Sequence, residues 1–190
     1  MSIESYLQRA ASVLQHTATM PSMARVDYAI ATIIASIAQG KALLVCGNGG
    51  SASDAMHIAG ELVGRFRHER KAIRCIALST NAATLTSIGN DYGFEDVFAR
   101  QVEAYGEAGG VLWGLSTSGN SKNVIKAFEK ARAMGMTTLA FTGQGGGKMA
   151  AHADILIDVA STHTPEIQQT HLCLYHYVCE RVERGIIEGG

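Results

Sequence analysis

The stretch ALLVCGNGGSASDAMHIAGELVGRF, Ala42 to Phe66, decides how this chain folds. Ala42, Leu43, Leu44, Val45 and Cys46 form an apolar run of strand length. Gly47, Asn48, Gly49, Gly50 and Ser51 break it, and a helical pattern carrying His57 and Glu61 follows. The reading is strand, glycine-rich turn, helix. Backbone without side chains lets a ligand approach the amides, and the unpaired N–H groups and dipole at the start of the next helix favour an anion. A phosphate is the expected anion.

His57 and Glu61 are four residues apart, so on a helix they share one face, about 6 Å apart along the axis. Such a pair can bind one divalent metal or divide acid and base work. As an ordinary solvated pair it would add only a few tenths of a kcal/mol to the helix. The phosphate-type turn one step upstream favours the chemical readings.

Outward from this unit, the pattern repeats. Ile73–Leu78 reads as a second strand, Val111–Leu115 as a third, Thr137–Thr142 as a fourth and Ile155–Val159 as a fifth. The third runs into Ser116, Thr117, Ser118, Gly119, Asn120 and Ser121, followed by a helix with Val124, Ile125, Phe128 and Ala131. Helix capping needs only one hydroxyl, whereas four hydroxyls in six residues suit an oxyanion cradle. Within Leu85 to Phe94, glycines flank Asn90 and Asp91, a turn signal. Gly143 to Gly147 is a flexible turn before a short helical piece at Lys148. A last helix from about Pro165 to Gly185 carries Gln168, His171 and His176, and one of the two histidines is expected to be filler.

Residues 1–40 hold two amphipathic helices. Ile3, Tyr6, Leu7, Ala10, Val13 and Leu14 stripe the first; Val26, Ile30, Ile33, Ile34 and Ile37 stripe the second, which follows Pro21 and stops at Gly40. They are expected to pack on the sheet and between subunits. The fold class is therefore α/β: a three-layer sandwich around a five-stranded parallel sheet, Rossmann-like, with an N-terminal helical pair. One domain spans 1–190, its α/β core covering 41–190. Ligands belong at the C-terminal strand ends, where both polar turns lie. No acidic residue follows the first turn at ribose-gripping distance, and GNGGS is neither G-x-G-x-x-G nor a Walker A loop, which disfavours dinucleotides and nucleoside triphosphates.

Composition narrows the field further. At 190 residues and 47% hydrophobic, the chain supports one sizeable core. Lys+Arg 16 against Asp+Glu 17, net −1, gives no reason to expect nucleic acid or an anionic membrane. Arg65, Arg67, His68, Arg70 and Lys71 cluster locally and are expected to form a solvated helix end. Cys46, Cys75, Cys173 and Cys179 have no C-x-x-C spacing and read as reduced core residues. No signal peptide or membrane-length apolar span is visible, so a cytoplasmic location is expected.

Taken together, CGNGGS at Cys46–Ser51, MHIAGE at Met56–Glu61, GNDYGF at Gly89–Phe94, STSGNS at Ser116–Ser121, and Ile167-Gln168 with His176 resemble the sedoheptulose 7-phosphate isomerases, also called phosphoheptose isomerases, of the sugar isomerase (SIS) fold. The resemblance covers nearly the whole chain. It implies a cytoplasmic homotetramer, with active sites near subunit interfaces, converting D-sedoheptulose 7-phosphate to D-glycero-D-manno-heptose 7-phosphate on the way to activated heptose for lipopolysaccharide or capsule. It implies that Asn48, Gly49, Gly50, Ser51, Glu61, Asn90, Asp91, Ser116, Thr117, Ser118, Ser121 and Gln168 bind substrate. It further implies that His57, Glu61, Gln168 and His176 hold one zinc per subunit, and that Glu61 and His176 move the protons. Gln168 and His176 are eight residues apart, about 12 Å along a helix, a long reach for two ligands of one ion.

Two alternatives share the fold. One is a non-catalytic binding protein of the DnaA initiator-associating type, a relative that lacks the equivalents of Glu61 and His176. The other is an isomerase of another phosphosugar, since both turns suit any sugar phosphate.

Overall fold

The computed structural model describes residues 2–189. Five parallel strands in the order β2-β1-β3-β4-β5 form its sheet: β1 (Leu43–Gly47), β2 (Cys75–Ala77), β3 (Val111–Ser116), β4 (Thr137–Thr142) and β5 (Ile155–Asp158). Parallel neighbours need crossovers, and helices supply them. These are α3 (Gly50–Val63), α4 (Ala82–Asp91) with α5 (Ala99–Tyr105), and α6 (Lys122–Ala133); a 3-10 segment, Gly147–His152, links β4 to β5. Helices α1 (Ile3–Ala18) and α2 (Val26–Ala38) precede the sheet, and α7 (Thr164–Gly189) closes the chain.

Strand side chains alternate between two buried layers. Leu43, Val45, Trp113, Leu115, Leu139, Phe141, Ile155 and Ile157 meet α2, α3 and α7. Leu44, Cys46, Leu112 and Ala140 meet α5 and α6 through Val102, Val124, Ala127 and Phe128. Because both faces are covered, the central strands are uninterrupted apolar runs. Gly114 on β3 sets the closeness of α6, since a Cβ there would lie 2.5 Å from Phe128. The expected three-layer sandwich is therefore present.

Several expectations need correction. Strand β2 is three residues long. The Asn90–Asp91 pair ends helix α4 rather than forming a turn, and the chain turns at Gly93, whose φ of 99° suits glycine. The segment from Pro21 to Arg25 is 3-10 before α2 begins. Helix α5 has no counterpart in the sequence pattern, because its seven residues are too few to show a period. Only α2 joins the core: α1 buries Val13 and Thr17 and leaves Ile3 74% and Leu7 59% exposed. Cys46, Cys75 and Cys179 are buried, whereas Cys173 is exposed. Burial pushes the Cys46 and Cys75 thiols up to about 12, which makes them inert core atoms.

The basic cluster is solvated as expected at Arg65, Arg67, His68 and Lys71, and departs from that expectation at Arg70. Helix α3 stops at Val63, and the backbone N–H groups of Phe66, Arg67 and His68 turn to donate to the Glu183 carboxylate at 2.9, 2.9 and 3.1 Å. Arg70 Nε donates to the same carboxylate at 3.2 Å, and the two side chains are 3% and 0% exposed. This knot ties the end of α3 to α7. Burial alone would raise the Glu183 pKa, but the three amides and the Arg70 charge outweigh it and hold it below its ordinary value of 4.5. A carboxylate with a lowered folded pKa stabilises the fold above its unfolded value and loses that contribution as pH falls towards the folded one. Glu183→Ala leaves three amides without an acceptor and Arg70 without its counter-charge, and should cost about 3–5 kcal/mol in urea unfolding. Glu183→Gln should also flatten the stability loss that the native chain shows on acidification below pH 4.5; an unchanged profile would remove this role.

Candidate functional site

The sheet order reverses at β1. Strand β2 lies on one side and β3 on the other, so the loops after β1 and β3 leave in opposite directions and open a crevice at their C-terminal ends. A cavity of about 240 Å³ occupies it, lined by Asn48, Gly50, Ser51, Ser116, Thr117, Ser118, Ser121, Thr164 and Gln168. The two polar turns singled out in the sequence therefore meet in space.

Local structure keeps donors available there. Ser2 and Asn81 side chains cap α1 and α4, but no side chain caps α3 or α6. Ala52 and Ser53 donate to the Gly49 carbonyl, and Val124 and Ile125 to that of Ser121, which leaves the very first N–H groups of α3 and α6 for a ligand, with both dipoles favouring an anion. Ser121 sits at the α6 cap position, yet its Oγ lies 2.8 Å from Ser116 Oγ. Asn48 and Asn123 exchange reciprocal amide hydrogen bonds of 2.9 and 2.8 Å, which fix the β1 turn against α6. Gly49 turns the chain at φ 55°, and a Cβ on Gly50 would lie 2.2 Å from Gln168 Nε2. Gly47 is less forgiving, since a Cβ there would lie 2.6 Å from the Ser51 carbonyl oxygen, which belongs to the backbone.

A second group lies further along α3 and on α7. His57 Nε2 and Glu61 Oε1 on α3 are 2.9 Å apart. On α7, His176 Nε2 is 3.4 Å from His57 Nε2 and 4.0 Å from Glu61 Oε1. One ligand atom from each of the three lies within 4.8 Å of the others. Two imidazoles and a carboxylate are a donor set that suits zinc with an open position. Tyr175 Oη lies 2.8 Å from His57 Nδ1. Asp54 is on the same face of α3 at i−3 from His57; burial pushes its carboxyl up to about 6, against the pull of His57 and Tyr175.

Gln168 lines the anion cavity, two helical turns before His176. Asn90 and Asp91, at the end of α4, are exposed and bonded to each other at 2.8 Å. They do not line the cavity. Of the two histidines on α7, His171 is the filler: it is fully buried, with Nε2 3.2 Å from the Thr142 carbonyl oxygen, and burial lowers its pKa to about 4, so it stays neutral near pH 7. Asn123, Thr164, Asp54 and Tyr175 escaped the sequence reading. Asp54 alone carried a signal, its helical spacing from His57.

A family model for the SIS domain matches residues 5–143. The chain belongs to that family. It is 56% identical over 146 residues to the phosphoheptose isomerase of Helicobacter pylori (strain P12), covering 77% of this chain and 76% of that protein. It superposes on the solved phosphoheptose isomerases of Neisseria gonorrhoeae and Francisella tularensis with TM-scores of 0.90 and 0.91. Identities are 37% and 33%; 96% of this chain is covered in each case, against 97% and 96% of theirs. Within the SIS domains, this chain is one of the phosphoheptose isomerases.

The two glycines of the first turn should respond differently to alanine. Gly47→Ala forces the backbone at Ser51 and should cost about 1–3 kcal/mol of stability. Gly50→Ala meets only the end of the flexible Gln168 side chain. It should melt close to the native temperature while weakening inorganic phosphate binding in a calorimetric titration.

Proposed function

We propose that this chain interconverts D-sedoheptulose 7-phosphate and D-glycero-D-manno-heptose 7-phosphate through an enediol(ate). The observation that carries this reading is the convergence of Glu61, His57 and His176 along the two helices whose first turns frame the anion cavity. Seven residues separate Gly50 from His57 and eight separate Gln168 from His176, about 10–12 Å along a helix axis. A sugar held by its terminal phosphate extends over that interval toward the cluster.

Asn48, Gly49, Gly50, Ser51, Ser116, Thr117, Ser118 and Ser121 then grip the phosphate through amides and hydroxyls, with Gln168 beside them. Asn90 and Asp91 bind sugar hydroxyls; α4 buries none of its residues, which suits completion of the site by a neighbouring subunit. Glu61 Oε1 faces both histidines, leaving Oε2 to take the proton from C1 of the ketose. His176 supplies a proton to the carbonyl oxygen at C2. Returning a proton to C2 and releasing the one on O1 gives the aldose. His57, Glu61 and His176 would hold one zinc per subunit, with Gln168 a weaker contributor from the cavity side. A zinc ion bound there supplies Lewis-acid polarisation of the carbonyl.

A homotetramer fits the exposed apolar faces, including Ile3 and Leu7 on α1 and Tyr28 on α2. Among the described residues no helix is long and apolar enough to cross a membrane, in keeping with the proposed cytoplasmic location. The product feeds activated heptose for lipopolysaccharide or capsule. A purely binding role would give no reason for a carboxylate and two imidazoles to converge beside the phosphate cavity.

In deuterated water, the native protein should form aldose carrying solvent deuterium at C2, followed by NMR. Glu61→Gln and His176→Ala should each lower kcat by about 10²–10⁴-fold. Folded, zinc-supplied protein that leaves sedoheptulose 7-phosphate unchanged would overturn the assignment.

A further inference from the structure

The two turns that frame the anion cavity are joined by a pair of side-chain amides, only one of which lines it. Asn123, on the first turn of α6, is 3% exposed, whereas Asn48, in the turn after β1, borders the cavity. Asn48 Nδ2 donates to Asn123 Oδ1 at 2.9 Å, and Asn123 Nδ2 donates to Asn48 Oδ1 at 2.8 Å. Asn123 Oδ1 also accepts from the backbone N–H of Val124 at 3.0 Å. A backbone N–H can only donate, so this bond decides which end of the Asn123 amide is oxygen. The reciprocal pair then decides the same for Asn48. One Nδ2 hydrogen of Asn48 is used in the pairing, and the other has no acceptor among the described residues.

We propose that Asn123 is a positioning residue for the phosphate cavity, acting through Asn48, whose amide it holds with the second Nδ2 hydrogen free for the bound anion. An amide able to turn over about its last bond would offer the anion its carbonyl oxygen as readily as its N–H, and an oxygen repels phosphate. Asn123 removes that alternative, since turning Asn48 over would set oxygen against oxygen and nitrogen against nitrogen. The same two bonds tie the turn that carries Gly49 and Gly50 to the start of α6, across 75 positions of chain. The donors of both turns therefore keep their spacing before any ligand arrives. A site ordered in advance loses less free energy to ordering when it binds. Burial of Asn123 reinforces this, because a hydrogen-bonded amide inside the protein is stronger than one exchanging with water.

The inference rests on the reading of this cavity as the sugar-phosphate site, and titration with inorganic phosphate tells the two apart. Asn123→Leu keeps the side-chain volume and removes both amide bonds. Val124 N–H retains a second acceptor, the Ser121 carbonyl at 3.1 Å, so the variant should melt near the native temperature. Its phosphate affinity should fall about 10-fold by calorimetry. With sedoheptulose 7-phosphate, KM should rise by a similar factor while kcat changes far less, the split expected when binding rather than proton transfer is lost. In an Asn48→Ala background the same Asn123→Leu change should cost almost no further affinity, because the side chain it orients is gone. If Asn123→Leu does not fold, the native chain still decides: saturating phosphate should shift one Asn48 Nδ2 proton in its ¹H–¹⁵N spectrum, and two unmoved protons overturn the inference. A native chain that binds no phosphate overturns the cavity reading and the inference with it. Native phosphate affinity in folded Asn123→Leu, or an equal loss in both backgrounds, overturns the inference alone.

Discussion

Two neighbouring parallel strands whose continuations part company govern this molecule. β1 and β3 pair from Leu43↔Val111 to Gly47↔Leu115, after which their chains leave toward opposite faces of the sheet. No helix can cover the gap between them, and both following helices begin at its rim. The unpaired N–H groups and positive dipole ends of α3 and α6 are therefore directed at one place. Glycines at the first turn and hydroxyls at the second keep that place open and polar. The anion cavity is a consequence of topology before it is a consequence of any single side chain.

What stands a helix length away from the cavity depends on how α3 and α7 are held together. Two buried devices do this at different heights. Tyr175 reaches His57 in the middle of the interface, and Glu183 gathers Arg70 and the backbone of Phe66, Arg67 and His68 where α3 ends. Each joins residues more than a hundred positions apart in the chain. The cluster of His57, Glu61 and His176 lies between these ties, so its spacing is set by core packing rather than by flexible surface chains. Low local polarity beneath it also explains why Asp54 protonates more readily than an ordinary carboxylic acid and why His171 stays neutral.

The strand–turn–helix unit from Ala42 to Phe66 was legible because its signals are local. Apolar runs of strand length, glycines that end them and helical periodicity each act within a few residues, and the same is true of STSGNS before α6. The pairing of His57 with Glu61 was legible for the same reason, as one turn of helix fixes it. Short α5 was not, since seven residues hold too few repeats to announce a period. Arg70 was misread because charge in a sequence is normally solvated, and nothing nearby announces a carboxylate at position 183.

By itself, then, the sequence determined the alternation of strands and helices, the two anion-ready turns and the residue types able to move a proton. Tertiary structure decided which of these meet. It brought His176 to His57 and Glu61, set Gln168 over Gly50 in the cavity, left Asn90 and Asp91 outside it, and buried Tyr175 behind the histidine. The physical reason is range: backbone preferences and helical spacing act over a few residues, whereas the approach of α7 to α3 comes from burying two apolar faces against one sheet, a sum over the whole core that no local pattern contains.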